Sequence, residues 1–226
     1  MQNCFAYMPL NTYPEAAPDA AVLASARFAA SLGCGLHVST FAVDIPPVAS
    51  PLGGFLINID GMAQAAEARS KAECDRLKAL IEGATKSRPE TQVVNHRLVL
   101  GAALDAATTE ARYFDLALLP WAADTLSAQD MAQALVFESG VPVILVPPTT
   151  TTGRVDHIAI AWDESRVAAR ALGDVLRILP AGGKVTVLTV KDEKALRSTG
   201  IAQTLAAALT LRGFNARAVE TTLDRR

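Results

Sequence analysis

Nucleophilic, acid–base or metal chemistry in this chain would have to be carried by His37, His96 and His157, by Cys4, Cys34 and Cys74, or by Ser165. The histidines fall at strand starts or within strands, far apart and with no second ligand at metal spacing, so they read as structural. The cysteines are odd in number and widely separated. No pair has metal-ligand or redox spacing, and a reduced, cytosolic chain is expected. No G-x-S-x-G surrounds Ser165, and no histidine and aspartate are legible as its triad partners. Gly182-Gly183 reads as a turn from helix to strand, at the wrong end of a sheet for phosphate. Arg166 and Arg170 lie one helical turn apart, the pattern of a solvated stripe. The residues therefore name no catalytic group and no metal site, and a protein that is not an enzyme is expected.

The bulk properties agree. The chain has 226 residues, 50% of them hydrophobic but only 5% aromatic. Its apolar content is mostly Ala, Leu and Val, which suits helices packed on a parallel sheet better than an aromatic-rich sandwich. A net charge of −2 gives no electrostatic case for nucleic acid or an anionic membrane. The N-terminus MQNCFAYMPLN lacks a basic start and an apolar core, and no apolar run is long enough to span a bilayer. A soluble protein is expected.

Positioning falls to short apolar runs that alternate with longer Ala-rich stretches, the signature of parallel strands joined by crossover helices. The spacing predicts strands at 4–8, 36–43, 92–99, 115–119 and 141–146. Helices are predicted at 19–32, closed by Gly33 and Gly35, then at 63–86, 104–112 and from 127 to Gly140. The second is the clearest: Glu67–Lys71, Arg69–Glu73, Lys71–Asp75 and Glu82–Lys86 are i,i+4 pairs, and Cys74, Leu77 and Ile81 share another face. Ser127 and Asp130 resemble a capping box. A long apolar loop is expected from Ile45 through Gly53-Gly54.

After Pro147-Pro148 and four threonines the pattern restarts, with strands at 157–162, 184–190 and 214–219 and helices at 165–179 and 199–212. VSTFAV (38–43) and VTVLTV (185–190) hold the same place in each copy. This is an internal repeat. The expected organisation is a complete domain over 1–148, a linker over 149–154, and the N-terminal half of a second copy over 155–226.

IAIAWDES, spanning Ile158 to Ser165, followed by an Ala/Leu helix and VTVLTV, resembles the universal stress protein family. So does the tail of the first copy, DLALL, a helix, then VPVILVPP. The resemblance runs the length of the chain. It implies a doubly wound five-stranded parallel sheet in the order 3-2-1-4-5, plus a partial second copy. Family members that bind ATP carry a glycine-rich loop after strand four, where backbone N–H groups and a helix N-terminus meet the phosphates. Here that segment reads Pro120-Trp121-Ala122-Ala123-Asp124, and no glycine lies between Gly101 and Gly140. Counting back from Pro142, the last family glycine falls on Gln129, followed by Asp130. The phosphate loop is lost from the first copy.

On the adenosine side the resemblance maps the family proline and aspartate onto Pro9 and Asn11. In the second copy it keeps the aspartate as Asp163, while Ala161 replaces the proline, and adds Val190. These four residues are the expected nucleoside-crevice positions, at the strand ends where a doubly wound sheet holds ligands. Asp163 equally suits the start of a helix at Ser165. Trp121 could stack on a base or plug the crevice, and the plug is favoured. The leading expectation is a non-enzymatic stress-response or signalling protein acting through binding and dimerisation. It has no cofactor in the first copy; an adenine nucleotide is the one class kept open. Its rivals are an ATP-binding member with its site in the second copy and a nucleotide-dependent adenylating or hydrolytic enzyme. The family pairs fifth strands across a dimer axis, so a homodimer through the edge from Val141 to Val146 is expected, with neither nucleic acid nor membrane as partner.

Overall fold

The computed structural model describes residues 4–47, 58–85, 90–151, 153–192 and 198–222. Gly53, Gly54 and Lys86, on which a loop and an ion pair were expected, lie outside them. The chain divides into two compact units, residues 2–153 and 154–226.

In the first unit, β1 (Phe5–Asn11), α1 (Asp19–Ser31), β2 (Gly35–Asp44), α2 (Ile59–Ala84), β3 (Thr91–Val99), α3 (Ala103–Ala111), β4 (Leu116–Pro120), α4 (Leu126–Ala134) and β5 (Val143–Val146) follow in order. The sheet is parallel throughout, in the order β3-β2-β1-β4-β5. Period-two alternation sets its two faces. Ala6, Met8 and Leu10 of β1 and Leu116 and Leu118 of β4 meet Val22 of α1 and Leu77 and Ile81 of α2. Tyr7, Ala117 and Leu119 turn the other way, to Ala107 and Ala111 of α3 and Met131 of α4. Small alanines on the helices let them sit close to the strands, as the aromatic-poor composition requires.

Local chemistry moves several boundaries. Asp19 opens α1 but spends its carboxylate on Arg76 of α2, at 2.8 Å, and not on a cap. Arg76 also pairs with Glu73 at 2.6 Å, and Lys78 approaches Glu82 at 3.9 Å. Glu67 faces Arg97 of β3 and accepts the Ile45 N–H at 2.7 Å, so the i,i+4 pairs expected of it and of Arg69 are not the ones formed. Cys74, Leu77 and Ile81 do share the buried face. Helix α4 starts two residues before the expected capping box. Its N-cap is Thr125, and the Thr125 hydroxyl donates to Ala122 O at 2.8 Å. The helix continues through a π-helical turn, Leu135–Ser139, and stops at Gly140 with φ of 80°.

Cys4 and Cys34 form a disulfide, contrary to the reduced state expected of all three thiols, and Cys74 is free and buried. Sequence separation hid the pair. Parallel registry places Gly35 opposite Phe5, which brings the two preceding cysteines side by side.

In the second unit, β6 (His157–Ala161), α5 (Arg166–Val175), β7 (Lys184–Val190), α6 (Ile201–Leu211) and β8 (Asn215–Thr221) form a three-stranded parallel sheet, β6-β7-β8. Ile158, Ile160, Val185 and Val187 bury one face against Leu172, Ala202 and Leu209. Among the described residues no helix is long and apolar enough to cross a membrane.

Candidate functional site

Order reverses in the first sheet between β1 and β4, and a ligand crevice belongs at their carboxyl ends. Pro9, Leu10 and Asn11 form one wall, Leu119 and Pro120 another. Ala16, Ala17 and Pro18 close it from the α1 side, and Thr125, Ala128 and Met131 from the α4 side. The space left is about 30 Å³, room for little more than water. Pro9 and Asn11 thus both stand at the end of β1, beside a crevice that is nearly filled. Trp121 does not line it. Its side chain packs in the apolar cluster of α3 and α4, so the filling comes from alanines, Pro18 and Met131.

The loop after β4 has no glycine, and two of its donors are used internally. Pro120 has no N–H, Trp121 donates to Val146 O at 2.9 Å, and Thr125 donates to Ala122 O at 3.2 Å. Asp124 and Asp130 are exposed. A triphosphate here would meet carboxylates where a phosphate loop offers N–H groups. Asn11 Oδ1 is shielded from solvent and accepts no hydrogen bond in the described structure. As an acceptor it suits an N–H or O–H group, not a phosphate oxygen.

In the second unit Asp163 lies just past the carboxyl end of β6 and Val190 ends the adjacent β7, and between them Trp162 N–H donates to Leu188 O at 2.8 Å. Asp163 Oδ1 accepts the Ser165 N–H at 2.9 Å, and Ser165 Oγ accepts the Ala168 N–H at 3.1 Å. Both side chains therefore help start α5, with Glu164 between them at φ of 62°. The four expected residues form two pairs, one in each unit.

Sequence reasoning missed a third constellation. Glu110, on the inner face of α3, collects Tyr7 Oη at 2.9 Å, Ser39 Oγ at 2.8 Å and His37 Nε2 at 3.1 Å, and His96 Nε2 stands 3.8 Å away. His37, Tyr7 and Phe114 stack on one another, as do Phe41 and His96. Burial, then the Glu110 carboxylate, pushes the Tyr7 hydroxyl well above its ordinary value. Ser39 donates to the carboxylate and not to an imidazole, so the hydroxyl–imidazole–carboxylate order of a hydrolytic triad is not formed. The signal was present as His37 and Ser39 two apart on one strand, but only strand registry shows that Tyr7 and His96 face the same way.

No protein-family model matches the chain, and no curated protein matches it. Solved structures do. A universal stress protein from Archaeoglobus fulgidus DSM 4304 superposes with a TM-score of 0.65 at 15% identity, over 96% of this chain and 77% of that one. A universal stress protein in complex with cAMP aligns at 17% identity over 64% of this chain and 98% of its own, with a TM-score of 0.36. A dehydrogenase/reductase from Sinorhizobium meliloti 1021 reaches a TM-score of only 0.19 at 13% identity, over 97% of this chain and 72% of that one. Only the first is close enough to bear on architecture, and at its identity it bears on architecture alone: the chain has the universal stress protein fold, a five-stranded parallel sheet with a further three-stranded one.

Proposed function

We propose that this chain is a non-enzymatic, cytoplasmic stress-response or signalling protein of the universal stress protein kind. It acts through binding and self-association, with no ATP in its first unit. The observation that carries the reading is the crevice between β1 and β4. A site for a nucleotide needs a few hundred Å³, roughly 300 or more, and about 30 Å³ is left. Opening it would mean moving Met131, a buried side chain, out of the core of the first unit, beside a loop that carries Asp124 and no glycine. Self-association is assigned to the β5 edge, as a homodimer, with neither nucleic acid nor membrane as partner.

Calorimetry with purified protein and Mg-ATP tests the first part. No saturable heat is expected at micromolar protein. A one-to-one isotherm with low-micromolar affinity overturns the reading. One observation favours a second reading: Asp163 lies just past the end of β6 and Val190 ends the adjacent β7, as the nucleoside half of a site would require. If ATP does bind, Asp163→Ala separates the two units. Lost binding assigns the nucleotide to the second unit; retained binding assigns it to the first crevice.

A further inference from the structure

The Cys4–Cys34 disulfide joins the start of β1 to the turn that enters β2. The two cysteines are only 3% and 5% exposed, so a reagent needs a path to reach the bond. One exists. A pocket of about 390 Å³ opens between the ends of α1 and α2, lined by Ala26, Ala29, Gly33, Cys34, Thr85 and Glu90. Cys34 contributes to its wall and Cys4 does not. On the opposite face of the sheet the Phe5 ring covers Gly35 so closely that a Cβ there would fall 2.6 Å from it. Among the described residues the pocket is an approach to the bond from the α1–α2 face, and it leads to Cys34.

Thiol–disulfide exchange proceeds by attack of a thiolate on one sulfur and departure of the other. We propose that Cys4–Cys34 is a thiol–disulfide exchange site, opened through Cys34 by small thiols of the glutathione class. In the first step the incoming thiolate bonds to Cys34 Sγ. The Cys34–Cys4 bond breaks, and its electron pair leaves on Cys4 Sγ, which takes a proton from solvent. A second small thiolate attacks the small-thiol sulfur of the mixed disulfide; the bond from that sulfur to Cys34 Sγ breaks, Cys34 leaves and takes a proton, and the two small thiols depart as the oxidised dimer. Two small thiols are oxidised and one protein disulfide is reduced, a two-electron exchange that runs backwards with the oxidised dimer. Cys74 stays out of it, 1% exposed with its sulfur 3.7 Å from the Thr12 hydroxyl. The consequence is a sheet whose first two strands are covalently tied or untied by the surrounding thiol pool.

The test uses the folded, full-length chain. It is incubated with millimolar reduced glutathione at neutral pH, quenched with acid at intervals, alkylated and mapped by mass spectrometry. The expected map has glutathione on Cys34 and none on Cys4, then alkylation of both, with Cys74 labelled only after denaturation. Oxidised glutathione should modify Cys34 in a Cys4→Ser chain several-fold faster than it modifies Cys4 in a Cys34→Ser chain. Glutathione found first on Cys4, equal rates in the two variants, or a disulfide that resists cleavage until denaturant is added would each overturn the proposal. The wild-type map decides by itself if either variant fails to fold.

Discussion

Glu110 ties two strands to one helix and stands beside a third. Its carboxylate takes hydrogen bonds from Tyr7 of β1 and from Ser39 and His37 of β2, with His96 of β3 close by. Several hydrogen bonds converging on one carboxylate fix the side chains around it. The Tyr7 hydroxyl pays in acidity: burial first, and the carboxylate second, raise it above its ordinary 10.0. Below that value Tyr7 is neutral in both folded and unfolded chains, and it adds no pH dependence. Above it the unfolded chain loses the proton while the folded chain keeps it, so stability falls as pH rises. The fall from this one group is about 1.4 kcal/mol per pH unit. Urea unfolding of the wild type and of Tyr7→Phe between pH 9 and 11 should show the steeper decline in the wild type. Parallel slopes would mean that Tyr7 ionises freely in the fold. At this scale the sequence was only half legible. Pro9 and Asn11 could be placed at a strand end only through the family resemblance. The Glu110 cluster could not be found, because it depends on Tyr7 standing opposite His37, and Phe41 opposite His96, in registry between distant strands.

Elements were legible where a hydrophobic period ran long and illegible where a short polar contact set the end. The buried stripe of Cys74, Leu77 and Ile81 marked α2 from its sequence, whereas its start at Ile59 depends on Asn58 Oδ1 accepting the Gly61 N–H at 2.9 Å. Likewise α4 begins at Leu126, after the N-cap Thr125, because the chain turns on the Thr125–Ala122 bonds and not on a Ser127–Asp130 box. The disulfide belongs to this scale, since it closes β1, α1 and the entry to β2 into one loop. Its sequence separation is 30, and closing a loop of that size stabilises by about 3 to 4 kcal/mol through the unfolded state. Cys34→Ser should lower the urea midpoint accordingly, and reduced dithiothreitol should lower the wild type to match while leaving the variant unmoved. An equal midpoint for wild type and variant under oxidising conditions would show that the bond does not constrain the unfolded chain.

The two edges of the larger sheet are unlike. β3 presents Gln92, Asn95, His96 and Arg97, a polar and charged edge of the kind that resists pairing, whereas β5 reads Val-Ile-Leu-Val. Ala117 N–H donates to Pro142 O, and Trp121 N–H donates to Val146 O. In a parallel strand alternate residues point their N–H and C=O to the same neighbour. Pro142, Ile144 and Val146 therefore face β4, and Val143 and Leu145 turn theirs to the open side. Among the described residues no backbone bond outside the ladder uses either of them. Leu145 is also 39% exposed, while Ile144 packs into the core beside α1. A lysine at Ile144 would confound loss of pairing with loss of folding. Leu145→Pro is the cleaner change: it deletes one outward N–H, sits on an edge where proline is tolerated, and leaves the bonds to β4 alone. If β5 pairs antiparallel with its twofold mate, light scattering should give a dimer for the wild type and a monomer for Leu145→Pro, with the far-ultraviolet circular dichroism unchanged. A dimeric Leu145→Pro chain would place the interface elsewhere. A monomeric wild type at micromolar concentration would remove the dimer altogether and leave the β5 edge for a different strand to cover.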